Sequence, residues 1–197
     1  MSSPVKTVDV NRRYTYADYL TWPEGERWEL IDGVPYAMSP APSVEHQTIQ
    51  GNLLREFFSY FRKESPCKVF ASPIDVRLFP ELDEDETDVV VQPDVIVVCD
   101  PTKLGKKAIL GAPDLVVEIL SPSSVENDTL RKKALYERAG VKQYWIVNPE
   151  ARHLSVLLLK NGILELQRVY EGEQVVEVPG YQDFKVALND VFPAAGK

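Results

Sequence analysis

The chain has 197 residues, 44% of them hydrophobic and 26% charged, with a formal net charge of −8. That length and balance fit one globular domain spanning 1–197 and exclude a disordered chain. No apolar run approaches the roughly 20 residues that cross a bilayer, and the acidic balance argues against strong non-specific binding to nucleic acid.

The opening MSSPVKTVDVNRRY lacks the apolar core of a signal peptide, so the expected location is cytoplasmic, with no membrane partner. Cys67 and Cys99 flank strand-like segments and are not spaced as a zinc pair, so they are expected as reduced, buried thiols. Six acidic residues crowd into ELDEDETD at 81–88, and the remaining chain is close to neutral. The run reads as a solvated loop tip, without the spacing and glycine of a calcium-binding loop.

In chain order, TYADYL reads as a short helix capped by Thr15. RWELIDGVPYAM reads as a hairpin turning at Asp32-Gly33, a dipeptide that accepts positive φ at both central positions. After SPAPS, a helix is expected from about Val44 to Lys63. Its stripe of His46, Ile49, Leu53, Phe57 and Tyr60 or Phe61 has helical spacing. KVFASPIDVRLF reads as extended chain interrupted at Pro73, followed by the acidic tip and VVVQPDVIVVC. A connection carrying Lys103, Lys106 and Lys107 leads to the strand DLVVEIL, ended by SPSS. A helix from about Asn127 to Ala139 stops at Gly140, and the strand QYWIVN after this crossover should run parallel to DLVVEIL. HLSVLLL and GILELQRVY follow, then a short ALNDVF helix. The order predicts an α/β fold, a mixed sheet with helices on its faces.

Two carboxylates stand out: Asp94 in VVVQPDVIVV and Glu118 in DLVVEIL. Continuous apolar runs of strand length imply burial on both faces, and a carboxylate there needs a cationic or hydrogen-bonding partner. Strand alternation puts Glu118 on a face with Asp114, Val116 and Leu120. If the two segments are neighbours, Asp94 and Glu118 can point at one ion. Such oxygen ligands suit magnesium or manganese, with the carbonyl of Ile119 as a third ligand. The alternative places one or both acids at strand ends, meeting only water or a backbone amide. Lys132 shares a helical face with Asp128, Leu135, Tyr136 and Ala139, which draws it inward, unlike Arg131 and Lys133. A lysine beside such a metal can stabilise the attacking hydroxide or the charge growing on a phosphate; the plainer alternative is a surface pair with Asp128.

Pro93-Asp94, Glu118 to Ser123, Asp128, Lys132, Tyr136 and AGVKQYWIVNPE, with WELIDG and the His46-Gln47 helix, resemble the Uma-two family of restriction-endonuclease-like proteins in the PD-(D/E)XK nuclease superfamily. The resemblance covers about Tyr14 to Tyr170. It implies a restriction-endonuclease-like fold with a helix-strand-strand-strand-helix-strand core and a metal-dependent phosphodiesterase. The superfamily's usual lysine lies two residues after the glutamate, where this chain has Leu120; the resemblance implies that Lys132 reaches the same place from the following helix. It also draws Glu29, His46, Asp128 and Tyr136 toward the pocket, although His46 on an apolar stripe and Glu29 beside a turn are ordinary by themselves.

Together these expectations describe an endonuclease acting on DNA with magnesium or manganese, its catalytic residues Asp94, Glu118 and Lys132. The rival expectations are a non-catalytic nucleic-acid- or protein-binding module of the same fold, or a nuclease for RNA or single strands. Cleaving both strands of a duplex calls for two sites, so a homodimer is expected, with HLSVLLL and GILELQRVY as available surface.

Overall fold

The computed structural model describes residues 8–9, 11–23, 25–38, 41–62, 64–79, 81, 83, 86–122 and 127–193. Parts of the expectations above fall on residues 1–7, Ser39, Pro40, Lys63, Leu82, Glu84, Asp85, Ser123 and Ser124, which lie outside the described residues.

Thr15 caps α1 (Tyr16–Tyr19), accepting from the Asp18 N–H while the Asp18 carboxylate accepts from the Thr15 N–H. β1 (Trp28–Ile31) and β2 (Val34–Ala37) form the expected hairpin, with Asp32 at φ 50° and Gly33 at φ 75°. Ser43 caps α2 (Val44–Tyr60), whose buried face carries His46, Ile49, Gln50, Leu53 and Phe57. The extended segment after it divides into β3 (Lys68–Ala71) and β4 (Asp75–Arg77), which join different sheets.

VVVQPDVIVV is likewise two strands, β5 (Val90–Val91) and β6 (Val95–Val98). This corrects the reading of one continuous strand. Pro93 has no N–H to donate to a ladder, and at Gln92-Pro93-Asp94 the chain passes from one sheet to the other. Asp94 therefore sits at the mouth of β6 rather than inside a strand. The lysine-bearing connection also holds a strand, β7 (Ala108–Leu110). β8 (Leu115–Ile119) then leads through a π-helical turn at Asn127–Arg131 into α3 (Lys132–Ala139), which ends at Gly140 with φ 84°. The remaining elements are β9 (Gln143–Asn148), β10 (His153–Lys160), β11 (Ile163–Glu171), β12 (Val175–Glu177), β13 (Lys185–Ala187) and α4 (Leu188–Val191).

The central sheet has the order β11-β10-β9-β8-β6-β3, with β8 and β9 parallel as the crossover requires and its other pairs antiparallel. A second sheet, β2-β1-β5-β4-β7, and the pair β12-β13 complete the strands. Alternation along β6 and β8 divides the core. Val95, Val97, Leu115, Val117 and Ile119 pack with Ile49, Leu53 and Phe57 of α2 and with Trp145. Ile96, Val98 and Val116 face Leu135 and Tyr136 of α3 and, from the second sheet, Val76 and Val91. The mixed α/β architecture flanked by helices is the fold class expected from the sequence.

Two further corrections concern the strand ends. Lys68 pairs with Val98, so the next residues outward, Cys67 and Cys99, meet across β3 and β6 and form a disulfide rather than two free thiols. β10 is hydrogen-bonded on both sides and buries Leu154, Val156 and Leu157, so of the two apolar segments only β11 presents an open edge. Among the described residues, no helix is long and apolar enough to cross a membrane.

Candidate active site

The site lies where the two sheets exchange the chain. In the antiparallel β6–β8 pair, Val95 faces Val117 and Ile96 faces Val116. One step further, Asp94 stands opposite Glu118, and facing residues of an antiparallel pair project to the same side. The Asp94 carboxylate is fixed by the backbone: Ile119 N–H donates to its Oδ2 at 2.8 Å, and His46 Nε2, from the first turn of α2, lies 3.2 Å from the same oxygen. The Asp94 carbonyl accepts from Gln50 Nε2 at 2.8 Å and from Ser72 N–H at 3.1 Å. Burial disfavours charge on the His46 ring, but the hydrogen bond and attraction of Asp94, with the Ile119 carbonyl, outweigh it and raise its pKa.

Glu118 is 3% exposed and receives two donors on Oε1, Lys132 Nζ at 3.0 Å and the Tyr136 hydroxyl at 2.8 Å. Lys132, also 3% exposed, lies 2.8 Å from Glu29 Oε1 and 3.2 Å from Asp128 Oδ1. One ammonium is thus caged by three carboxylates from β1, β8 and the turn before α3. Burial alone would lower the Lys132 pKa; Glu118, Glu29 and Asp128 reverse this and hold it well above the usual lysine value. The group stays a cation at neutral pH, which makes it an electrostatic element and not a base. Glu118 is pushed well above the usual carboxylate range by burial, opposed by Lys132 and reinforced by Asp128, Asp94 and Glu29. Tyr136 is pushed up by burial and by Glu118, so its hydroxyl keeps the proton it donates.

The four carboxylates, His46 and Lys132 line a cleft of about 620 Å³, together with Arg27, Tyr36, Met38, Ser43, Gln92, Ser121 and Asn148. Of the residues singled out from the sequence, Glu29, His46, Asp94, Glu118, Ile119, Asp128 and Lys132 all line it, and Tyr136 reaches it through Glu118. Asp114, on the Glu118 face, is held elsewhere, accepting from Cys99 N–H and Lys142 Nζ. Arg131 and Lys133 do not join the cage: the Arg131 guanidinium lies over Tyr36, and Lys133 pairs with Glu137. The inward turn of Lys132 follows from the helical face it shares with Leu135. Leu120, where the superfamily's lysine would stand, is buried.

Sequence reasoning missed Gln50, Gln92 and Arg27. The Gln92 N–H donates to Glu29 Oε1 at 2.8 Å and holds that carboxylate against Lys132. Neutral amides give no charge signal, and only the position of Gln92, two residues before Asp94, could have pointed to it.

The family model of Uma2, described as "Putative restriction endonuclease", matches residues 16–189. The chain belongs to this family. A crystal structure of a putative nuclease belonging to DUF820 from Anabaena variabilis has the same fold, with a TM-score of 0.72, 21% identity, and coverage of 91% of this chain and 97% of that one. An uncharacterized Synechocystis protein, slr1290, is 30% identical over 132 residues, which span 66% of this chain and 65% of the relative's length. The Asp94–Glu118 pair described above falls within the matched segment.

Proposed function

We propose that the chain is a magnesium- or manganese-dependent endonuclease that hydrolyses phosphodiester bonds in DNA. The observation carrying this is the meeting of Asp94 and Glu118 across β6 and β8, with the Lys132 ammonium delivered from α3 to 3.0 Å from Glu118.

The donor chemistry supports a divalent cation. Four carboxylates, Glu29, Asp94, Glu118 and Asp128, gather around one ammonium and one imidazole, so the cluster carries surplus negative charge in a poorly hydrated place. Among the described residues, no three acidic, histidine or cysteine side chains converge as a ready-made metal cage. Two carboxylates with a backbone carbonyl match an ion that keeps several waters and takes substrate phosphate oxygens. Asp94, Glu118 and the Ile119 carbonyl would hold it. The chemistry such a cation supplies is activation of water for attack and neutralisation of charge on the phosphate. His46 and Ile119 N–H fix the Asp94 carboxylate, while Tyr136 and Lys132 fix Glu118. Lys132 sets a permanent positive charge beside the place where phosphate charge grows.

Asp94→Asn tests this. The wild type should cleave DNA with magnesium or manganese and not with chelator, and the variant should lose cleavage at least 100-fold. Equal cleavage by the two would end the proposal, and preferential cleavage of RNA would move the substrate. A two-fold dimer would supply a site for each strand of a duplex. The open edge of β11, with Ile163, Leu166 and Val169 exposed, supports it.

A further inference from the structure

Arg27 lines the same cleft and differs from every other charged group in it. Its Nε and Nη2 both donate to Gln92 Oε1, at 3.1 and 3.0 Å. The Gln92 amide cannot turn over without loss, because its Nε2 donates to Asp75 Oδ1 at 2.9 Å and to the Tyr19 hydroxyl at 3.0 Å. Tyr19 in turn donates to Asp75 at 3.0 Å. Asp75 therefore orients Gln92, and Gln92 orients Arg27 through one edge of its guanidinium. The other edge, Nη1 and Nη2, keeps the parallel N–H pair that grips a phosphate in two places. Among the described residues, no carboxylate pairs with Arg27, whereas Lys132 is matched by three. A permanently charged, aimed and unmatched guanidinium in an otherwise acidic cleft calls for an anion.

Its position says which anion. Met38 N–H donates to the Arg27 carbonyl, so the β1–β2 ladder extends to Arg27, which then shares a face with Glu29 about 7 Å further along the strand. Glu29 touches Lys132, and Gln92 precedes Asp94 by two residues. Arg27 thus stands one strand step from Glu29, the carboxylate that touches Lys132, in the cleft that Asp94 and Glu118 also line. We infer that Arg27 forms a phosphate subsite, binding the backbone phosphate next to the one cleaved and setting the register of the strand in the cleft. Gln92 is its positioning residue. This rests on the endonuclease proposal for the identity of the strand.

The test is binding of a fluorescein-labelled 12-nucleotide single-stranded DNA, in chelator and at several salt concentrations, followed by anisotropy. Arg27→Gln should weaken binding about tenfold or more and reduce the slope of log affinity against log salt by about 0.7, as expected for one lost phosphate contact. Arg27→Lys should restore the slope but only part of the affinity. Gln92→Leu should weaken binding with the slope kept, since the charge remains but its aim is lost. A fold defect alone would not separate the lysine and glutamine variants in this way. Where the wild type cleaves DNA, Arg27→Gln should raise KM far more than it lowers kcat. Binding without cleavage by the wild type would refute the endonuclease proposal and leave the subsite standing. Unchanged affinity and slope in Arg27→Gln, or no binding by the wild type at low salt, would overturn the subsite.

Discussion

Replacing Lys132 with methionine keeps most of the side-chain volume and removes one buried charge. The ammonium lies 2.8, 3.0 and 3.2 Å from Glu29, Glu118 and Asp128. At an effective dielectric of about 20, each contact is worth roughly 5–6 kcal/mol before desolvation is subtracted. Desolvation of the same groups cancels most of that sum, and removing one partner from a buried ionic group typically costs about 3–5 kcal/mol. In a chain of this size that lowers Tm by roughly 6–20 °C. The direction with pH follows from linkage. The Lys132 pKa is raised on folding, so its contribution is complete below the unfolded lysine value of about 10.4 and is lost only as pH rises through the folded value. Neutral pH therefore shows the full effect. The variant loses the Lys132 charge that opposes the raised pKa of Glu118, so that pKa moves further above the unfolded value. Its deficit is small near pH 4 and grows as pH rises toward neutrality. Thermal denaturation at pH 4.5, 6 and 7.5 reads this, with Lys133→Met as control, a half-exposed pair worth under about 1 kcal/mol. A Lys132→Met protein that melts with the wild type at pH 7.5 would refute the caged cation.

His46→Ala should leave the Asp94 carboxylate held by the Ile119 N–H alone, weakening manganese binding about 10–100-fold by calorimetry with little change in fold. Ala at Gly140 meets no steric neighbour but must adopt φ 84°, so Gly140→Ala should cost about 1 kcal/mol and a few degrees of Tm. The wild type should scatter light as a dimer at micromolar concentration, and Leu166→Asp on the exposed face of β11 should give a monomer. A wild-type monomer mass would rule the dimer out.

Much of the fold was legible because its signals are local. Asp32-Gly33 fixes the hairpin, the Ile49–Leu53–Phe57 stripe fixes the inner face of α2, and the crossover after DLVVEIL fixes the parallel pair. Lys132 was legible as inward-turning because Leu135 shares its face. The sheet exchanges at Pro73 and Pro93 were harder: each proline marks a break, but a break does not say which sheet receives the next strand. Cys67 and Cys99 meet only once β3 and β6 are known to pair. Glu29 is ordinary beside its turn, and its burial depends on Lys132 and Gln92, both more than 60 positions away. Gln92 holds Arg27 in place only through its bonds to Tyr19 and Asp75, a relation no local pattern encodes.

The central claim is that Asp94, Glu118 and the Ile119 carbonyl hold one divalent cation. Anomalous diffraction from crystals grown with manganese tests it most directly. A peak within bonding distance of both carboxylates, absent in Asp94→Asn, is the result this account predicts. A wild type that cleaves DNA with manganese while the only anomalous peak lies away from Asp94 and Glu118 would contradict it.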